Sequence, residues 1–224
     1  MIANHKEKSR ASIFRLVHER QLWRRGYVTV AGVDEVGRGA WAGPLVAAAV
    51  LISKDEVALW RRQKWFWQVA DSKQLSPKVR EEIVKACRGT VRSAVGVVEP
   101  GQIDTIGIGN ANRQAMYLAV KQLHGKPRYV LTDYVPKLGT TLAGVPASVL
   151  VDGDVKVFSV ALASIIAKVY RDQLMVQYEA RYPGYGFAQH KGYGTRQHRA
   201  ALARLGPCPL HRRSYRPVAA VLVH

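Results

Sequence analysis

The chain has 224 residues, 48% hydrophobic and 22% charged, with 34 Lys plus Arg against 16 Asp plus Glu for a formal net charge of +18. That balance is globular and asks for a polyanionic partner, nucleic acid most simply, although charge alone does not separate nucleic acid from an anionic membrane surface. Cys87 and Cys208 are the only cysteines and show no Cys-x-x-Cys spacing, which excludes a disulfide framework and a zinc ribbon and fits a reducing cytoplasm. The longest apolar stretch, residues 40–52, is too short to span a bilayer, and the basic residues from His5 to Lys8 do not open a secretory signal.

Residues 1–26 read as a basic helical extension, with Ile13, Phe14, Leu16 and Val17 on an apolar side among Arg10, Arg15, Arg20, Arg24 and Arg25. A helix lying on the domain with its arginines near nucleic acid is preferred over a transit peptide, which Glu7 and Glu19 disfavour. Residues 27–33 alternate β-branched and small side chains and predict a buried strand that delivers Asp34 and Glu35 at its end. Neighbouring strand side chains point to opposite faces, so both carboxylates reach one site only if the strand bends or stops there. Gly37, Gly39 and Gly43 supply that break. The Gly-Arg-Gly turn lets backbone N–H groups approach a ligand, and Arg38 can fork onto a phosphate. Residues 44–52 predict a second buried strand, paired back as a hairpin.

Residues 57–69 interleave Trp60, Trp65, Phe66 and Trp67 with Arg61, Arg62 and Lys64. A helix burying its aromatics against the sheet is favoured there over a platform for stacking bases. Asp71, Ser72 and Lys73 form a polar loop, and Ser76-Pro77 starts a helix as N-cap and first residue. Residues 91–98 predict a strand, 100–109 a turn-rich link, 110–123 a helix, and 128–132 a short strand ending on Asp133. A further strand, 145–151, closes on Asp152, Gly153 and Asp154. Residues 159–178 carry Leu162, Ile165, Ile166, Val169 and Val176 at helical spacing, and Ser164, Lys168 and Asp172 form an i, i+4 ladder in which Lys168 and Asp172 pair. Residues 182–195 form an aromatic, basic loop, 196–205 a final helix, and His211, Arg212 and Arg213 a last basic cluster. Strand and helix alternate in the second half without internal repeats, which argues for a mixed α/β sheet.

Asp34, Glu35, Asp133 and Asp154 thus stand at three strand ends far apart in the sequence. Hard oxygen ligands of this kind suit Mg²⁺ or Mn²⁺, which share their coordination sphere with water and substrate phosphates. In so basic a chain the inference is phosphodiester hydrolysis, with a metal pair activating water and stabilising the leaving oxygen, so that no protein nucleophile is needed.

Seven segments carry a family resemblance: VAGVDEVGRG (residues 30–39), DSKQLS (71–76), YVLTD (129–133), Gly153-Asp154, ASIIAKVYRD (163–172), YGFAQHKGYGT (185–195) and HRRSYRPV (211–218). In these the chain resembles ribonuclease HII, the type 2 branch of the ribonuclease H family. The resemblance implies a ribonuclease H-like α/β fold, a five-stranded mixed sheet flanked by helices, with residues 27–180 as catalytic core and 181–224 as a small C-terminal helical substrate-binding region. It implies endonucleolytic cleavage of the RNA strand of RNA–DNA hybrids and incision at ribonucleotides embedded in duplex DNA, leaving 3′-hydroxyl and 5′-phosphate. Asp34, Glu35, Asp133 and Asp154 would be the metal-binding catalytic carboxylates. Gly37, Arg38 and Gly39 would read the 2′-OH of the ribonucleotide, which is what distinguishes RNA from DNA at one position. Tyr193 would stack on the following sugar, and Lys73, Ser164, Lys168 and Lys191 would contact phosphates. A cytoplasmic monomer is expected, with a sliding clamp or polymerase as a candidate recruiter. The chain departs from the family's usual residues at Ala40 and Trp41, Tyr134, Asp152 and Ala161. Two competing readings are a non-catalytic nucleic-acid-binding protein on the same scaffold, against which the four carboxylates argue, and a junction-cutting ribonuclease H-like nuclease, which would need no 2′-OH sensor.

Overall fold

The computed structural model describes residues 16–133, 135 and 139–222. Residues 1–15 of the basic extension and Tyr134 therefore lie outside the described residues. The strands are β1 (Thr29–Val36), β2 (Leu45–Ser53), β3 (Arg92–Val98), β4 (Tyr129–Thr132), β5 (Thr141–Leu142) and β6 (Val145–Val149). The helices are α1 (Val17–Arg24), α2 (Lys54–Trp60), α3 (Lys64–Gln68), α4 (Pro77–Cys87), α5 (Pro100–Ile106), α6 (Ile108–Lys121), α7 (Gly153–Lys156), α8 (Phe158–Arg181), α9 (Phe187–His190), α10 (Arg196–Leu205) and α11 (Arg216–Leu222).

The sheet has the order β3-β2-β1-β4-β6-β5. β1, β4 and β6 run parallel; on one side β2 runs antiparallel to β1 and β3 antiparallel to β2, and on the other β5 runs antiparallel to β6. Five strands were expected, and the sixth is the two-residue β5, too short to leave a periodic signal. Along β2 the apolar run is buried on both faces: Val46, Ala48, Val50 and Ile52 enter one core and Leu45, Ala47, Ala49 and Leu51 the other. Such a two-sided strand reads as continuous apolar sequence rather than alternation.

α8 fills the first face and α6 the second. Both approach the sheet at a glycine: a Cβ on Gly32 would lie 2.2 Å from the Ser159 carbonyl carbon, and one on Gly96 would lie 2.0 Å from the Ala115 oxygen. Gly32 is therefore a contact residue, the usual meaning of a glycine inside a strand. α1 belongs to the same core through Leu16 and Leu22, and buried Glu19 accepts hydrogen bonds from the Ser159 N–H and Oγ, both at 2.9 Å.

Several sequence expectations are refined. β1 does not stop at Val33 but carries Asp34 and Glu35 in register with Ala48 and Ala47. Residues 100–109 are not a link: Pro100 opens α5 behind a reciprocal capping box between Glu99 and Gln102. Asp154 does not end a strand but sits in the first turn of α7. The aromatic stretch splits into α2 and α3, and Trp60, Trp65 and Phe66 are buried, Phe66 against Phe158 at 4.5 Å between centroids, so none of these three is a base-stacking platform.

Gly32→Ala should force α8 off the sheet and cost about 2–3 kcal/mol, lowering the melting temperature by about 5–10 °C. Thermal denaturation followed by circular dichroism checks this, and an unchanged melting temperature would show that α8 can shift without penalty.

Candidate active site

Because β1, β4 and β6 are parallel neighbours, their C-terminal ends share one edge of the sheet, and each delivers acid there. Asp133 follows β4 directly. Asp154 follows β6 through α7, whose first residue, Gly153, donates its N–H to Asp133 Oδ1 at 3.1 Å. A Cβ at Gly153 would stand 3.3 Å from Asp133 Cα, so α7 lies tight beneath that carboxylate. Asp34, Glu35, Asp133 and Asp154 line one cleft of about 480 Å³. Gly37, Arg38, Gly39, Lys73, Ser164, Lys168 and Tyr193 line it too.

Alternation along β1 turns Asp34 toward α8, where Ser164 hydrogen-bonds it, and turns Glu35 to the other face. Ser164 Oγ also meets Ser72 Oγ at 3.0 Å. Arg38 reaches Glu35 Oε1 at 3.4 Å, and Lys73 reaches Asp154 Oδ2 at 3.1 Å. Burial pushes the Asp34 carboxyl well above the usual range, and the charges of Glu35 and Asp154 push it further. Glu35 is raised by burial and by Asp133, against the lowering effect of Arg38. The edge thus holds more negative charge than its neighbours neutralise. Among the described residues no three His, Cys, Asp or Glu stand already converged on one metal position. The donor set nevertheless fits a hard divalent cation: it is all oxygen, and its mutual repulsion is what such a cation relieves. Lys73 and Arg38 occupy part of that role.

The Gly37 to Pro44 turn is held from behind by two buried arginines: Arg171, to which the sequence assigned no role, and Arg212, expected only as part of a basic cluster. Arg171 donates to Pro44 O, Lys191 O and Ala42 O at 2.9, 2.9 and 3.1 Å. Arg212 donates to Gly43 O from Nε and NH2 at 3.1 and 2.9 Å, and to Arg38 O at 3.0 Å, and Tyr215 Oη donates to the same Arg38 oxygen. Gly37, at φ 95°, has no room for a Cβ, which would fall 2.3 Å from Arg171 Nε. Gly39 has nothing within 4 Å of its Cβ position and faces open space.

Tyr193 stands beside Arg171, whose guanidinium carbon is 5.5 Å from the ring centroid. Its backbone is fixed by a histidine relay whose tautomers follow from the donors. The Cys208 N–H donates to His211 Nδ1 at 3.0 Å, so His211 donates from Nε2 to His198 Nε2 at 3.1 Å, and His198 donates from Nδ1 to Tyr193 O at 3.0 Å. Burial lowers both histidines to about 4, so both are neutral in neutral solution.

Trp41 does not enter the cleft as a free indole. A Cβ on Gly194 would fall 2.3 Å from its ring, His198 lies 5.6 Å away, and its backbone bonds Gly192 O and the Arg212 N–H at 2.8 Å each. Asp152 has a left-handed backbone at φ 58° and pairs with exposed Lys156 at 3.0 Å. Lys168 pairs with Asp172 at 2.7 Å, as its spacing suggested. Lys191 is not brought into the cleft. It folds back onto Ala188 O and borders a neighbouring depression with Asp172. Ser72 and Arg80 do line the cleft, unanticipated.

A mixed sheet of this order, with carboxylates gathered where its parallel strands end and cations around them, defines a ribonuclease H-like hydrolase of phosphodiesters. The family model described as Ribonuclease HII matches residues 31–218. A ribonuclease HII of Dehalococcoides mccartyi is 43% identical over 201 residues, covering 89% of this chain and 92% of the relative. The crystal structure of a ribonuclease H2 from Pyrococcus horikoshii superposes with a TM-score of 0.72 at 28% identity, covering 86% of this chain and 96% of that one. The ribonuclease HII in a complex with PCNA from Archaeoglobus fulgidus gives 0.66 at 27% identity, over 82% of this chain and 92% of that one. The chain belongs to the ribonuclease HII family and is an endoribonuclease of RNA–DNA hybrids. Enzymes of the ribonuclease H family depend on divalent metal. No helix among the described residues is long and apolar enough to cross a membrane.

Asp34 titrates above its unfolded value near 3.9, so its contribution to stability is present below that pH and is lost as pH rises through the folded pKa. In chelator, Asp34→Asn should therefore melt higher than wild type at pH 8, with the gap closing toward pH 4. Calorimetry across that range checks the sign. A variant that melts lower at pH 8 would mean that the charge is compensated.

Proposed function

We propose that Asp34, Glu35, Asp133 and Asp154 are the catalytic carboxylates and hold Mg²⁺ or Mn²⁺, and that the enzyme also incises duplex DNA at an embedded ribonucleotide. What supports this reading is that the four carboxylates, the Gly37-Arg38-Gly39 turn and Tyr193 line one cleft. When bound, the divalent cation supplies Lewis-acid chemistry, lowering the pKa of the attacking water and stabilising the departing oxygen. Water adds to phosphorus, the P–O3′ bond breaks, and the 3′-oxygen takes up a proton, leaving 3′-hydroxyl and 5′-phosphate. Asp34 is oriented by Ser164, and Asp133 by the Gly153 N–H. Lys73, whose side chain is 80% exposed, is free to leave Asp154 for a phosphate, and Lys168 and Ser164 line the same wall. Lys191, turned toward Ala188, is the weakest of the proposed phosphate contacts.

The 2′-OH reader is the backbone of residues 37–39. Its carbonyl at Arg38 is already tied to Arg212 and Tyr215, so the turn meets the minor groove preformed. Open space at Gly39 lets a sugar approach the backbone, and Tyr193 offers a ring for the next sugar. Residues 27–180 form the catalytic core in this reading and 181–224 the substrate-binding region, with α1, from the 1–26 extension, packed on the core. A cytoplasmic monomer is part of the same proposal, as is recruitment by a sliding clamp, and the PCNA complex of the archaeal relative supports the recruitment alone.

The test incubates the protein with Mg²⁺ or Mn²⁺ and a labelled duplex bearing one ribonucleotide, beside an all-DNA duplex. Incision only of the first, abolished in Asp34→Asn, is expected. Cleavage of both would favour a junction-type nuclease, and binding without cleavage would favour a non-catalytic protein. Gly39→Ala should keep the wild-type melting temperature, because its Cβ meets nothing, yet lose about tenfold or more in single-ribonucleotide incision. Full activity there would dismiss the close sugar approach. Tyr193→Ala should impair single-ribonucleotide incision more than cutting of long hybrids, and equal losses would remove the stacking role.

A further inference from the structure

At the end of the sheet opposite the carboxylates, α1, α2 and the turn after α2 enclose a second cavity, of about 440 Å³. Arg20, Arg24, Lys54 and Arg61 line it with Trp23, and Val57 closes its floor. Its position follows from the register. Ser53, the residue before α2, pairs with Thr29 at the start of β1, while Asp34 lies five residues further along that strand, about 17 Å away. The two sites are separate.

Among the described residues four cations line this cavity and no carboxylate does. Glu56, in the first turn of α2, is committed to Arg92 by hydrogen bonds of 2.9 and 2.8 Å. Glu19, beside Arg20, is turned into the core and bound to Ser159. Arg20 and Arg24 are spaced i, i+4 on one helix face, a like-charge pair that disfavours an isolated helix. α1 accepts the pair because Leu22 and Glu19 fasten its other side to the domain.

The second observation concerns donors. Arg61 Nε, Arg61 NH2 and Trp23 Nε1 are shielded from solvent and have no hydrogen-bond partner among the described residues. All three groups only donate, so what is missing is an acceptor. Burial and the charge of Arg20 both lower the Arg61 pKa, as expected for cations gathered without a counter-charge. Buried polar groups in folded proteins are nearly always satisfied, and an unsatisfied set of one sign identifies its complement.

We propose that this cavity is an anion site that binds a phosphoryl group, with Arg61 Nε and NH2 and Trp23 Nε1 donating to its oxygens and Arg20, Arg24 and Lys54 supplying charge. A planar guanidinium presenting two donors matches phosphate oxygens, and the indole N–H adds a third from another element. The phosphoryl group comes either from free phosphate or nucleotide, or from the backbone of a bound duplex.

The test uses the full ¹⁵N-labelled chain and follows the indole N–H resonance of Trp23, identified by its loss in Trp23→Phe. Sodium phosphate is titrated against sodium chloride at matched ionic strength. A saturable shift with phosphate alone is expected, weakened about tenfold or more in Arg61→Met and in Lys54→Glu. Lys54 is exposed, so its variant keeps the fold if Arg61→Met does not. A shift that chloride reproduces, or one that survives in both variants, overturns the site. In a second arm an all-DNA duplex competes with phosphate. Displacement of phosphate supports the site with backbone phosphate as its source, and retention of phosphate supports it with a free anion as its source.

Discussion

Two buried cations without counter-ions, Arg171 and Arg212, are the constraint on which the cleft depends. Both side chains are 0% exposed, and neither joins an ion pair among the described residues. Removing a guanidinium from water is costly, and here charge-assisted bonds to main-chain carbonyls offset the loss. Arg171 stays charged at neutral pH, since burial lowers it only to about 10. The carbonyls it collects belong to Ala42, Pro44 and Lys191, and those of Arg212 to Gly43 and Arg38. The turn after β1 is thereby fixed to both groups, and the Tyr193 loop is fixed to Arg171 through the Lys191 carbonyl. Moving either loop alone would strand a buried donor.

The cleft itself carries the opposite imbalance. At its floor carboxylates repel one another, while Arg38, Lys73, Lys168 and Arg80 stand around them. A divalent cation on the floor and a polyanion along the rim would each relieve one excess. That division, acid at the strand ends and base around them, would let a chain with a net charge of +18 accommodate a metal and a polyanion side by side, as proposed for this cleft. Ser164 acts against the same excess: its hydrogen bond to the Asp34 carboxylate partly offsets the effect of burial.

The parts of this arrangement that were legible in the sequence are those with local signatures. The two-sided apolar run of β2, the Ser76-Pro77 start of α4 and the Lys168–Asp172 pair follow from periodicity, capping and i, i+4 geometry. The acids were legible as residues, but Asp154 was misplaced at a strand end because α7 has only four residues. Pro100 and the glycines at 101, 107 and 109 suggested a link where the capping box of Glu99 and Gln102 builds α5. Arg171 was seen only as a letter in a matching segment, and Arg212 only as part of a last basic cluster. Their partners lie up to 129 and 174 residues away, and no periodicity encodes such pairs. Trp41 shows the same limit: in the sequence it is only a departure from the family's usual residues, and tertiary contacts set it against Gly194 and His198.

α8 converts these separate contacts into one geometry. Its N-terminal turn is set on the sheet by Gly32 and received by Glu19, so its height above β1 is fixed before the cleft is reached. From there Ser164, Lys168 and Arg171 follow at i, i+4 and i+7 on one face, spanning about 10 Å at the helical rise. Ser164 meets Asp34 on the cleft floor, Lys168 lines the wall, and Arg171 grips the turn and the Tyr193 loop. A straight helix keeps those three distances constant, so the cleft floor and the Gly37–Pro44 turn are held in register by one element. A displacement at Gly32 would propagate to all three contacts together, which makes a residue remote from the chemistry part of what aligns it.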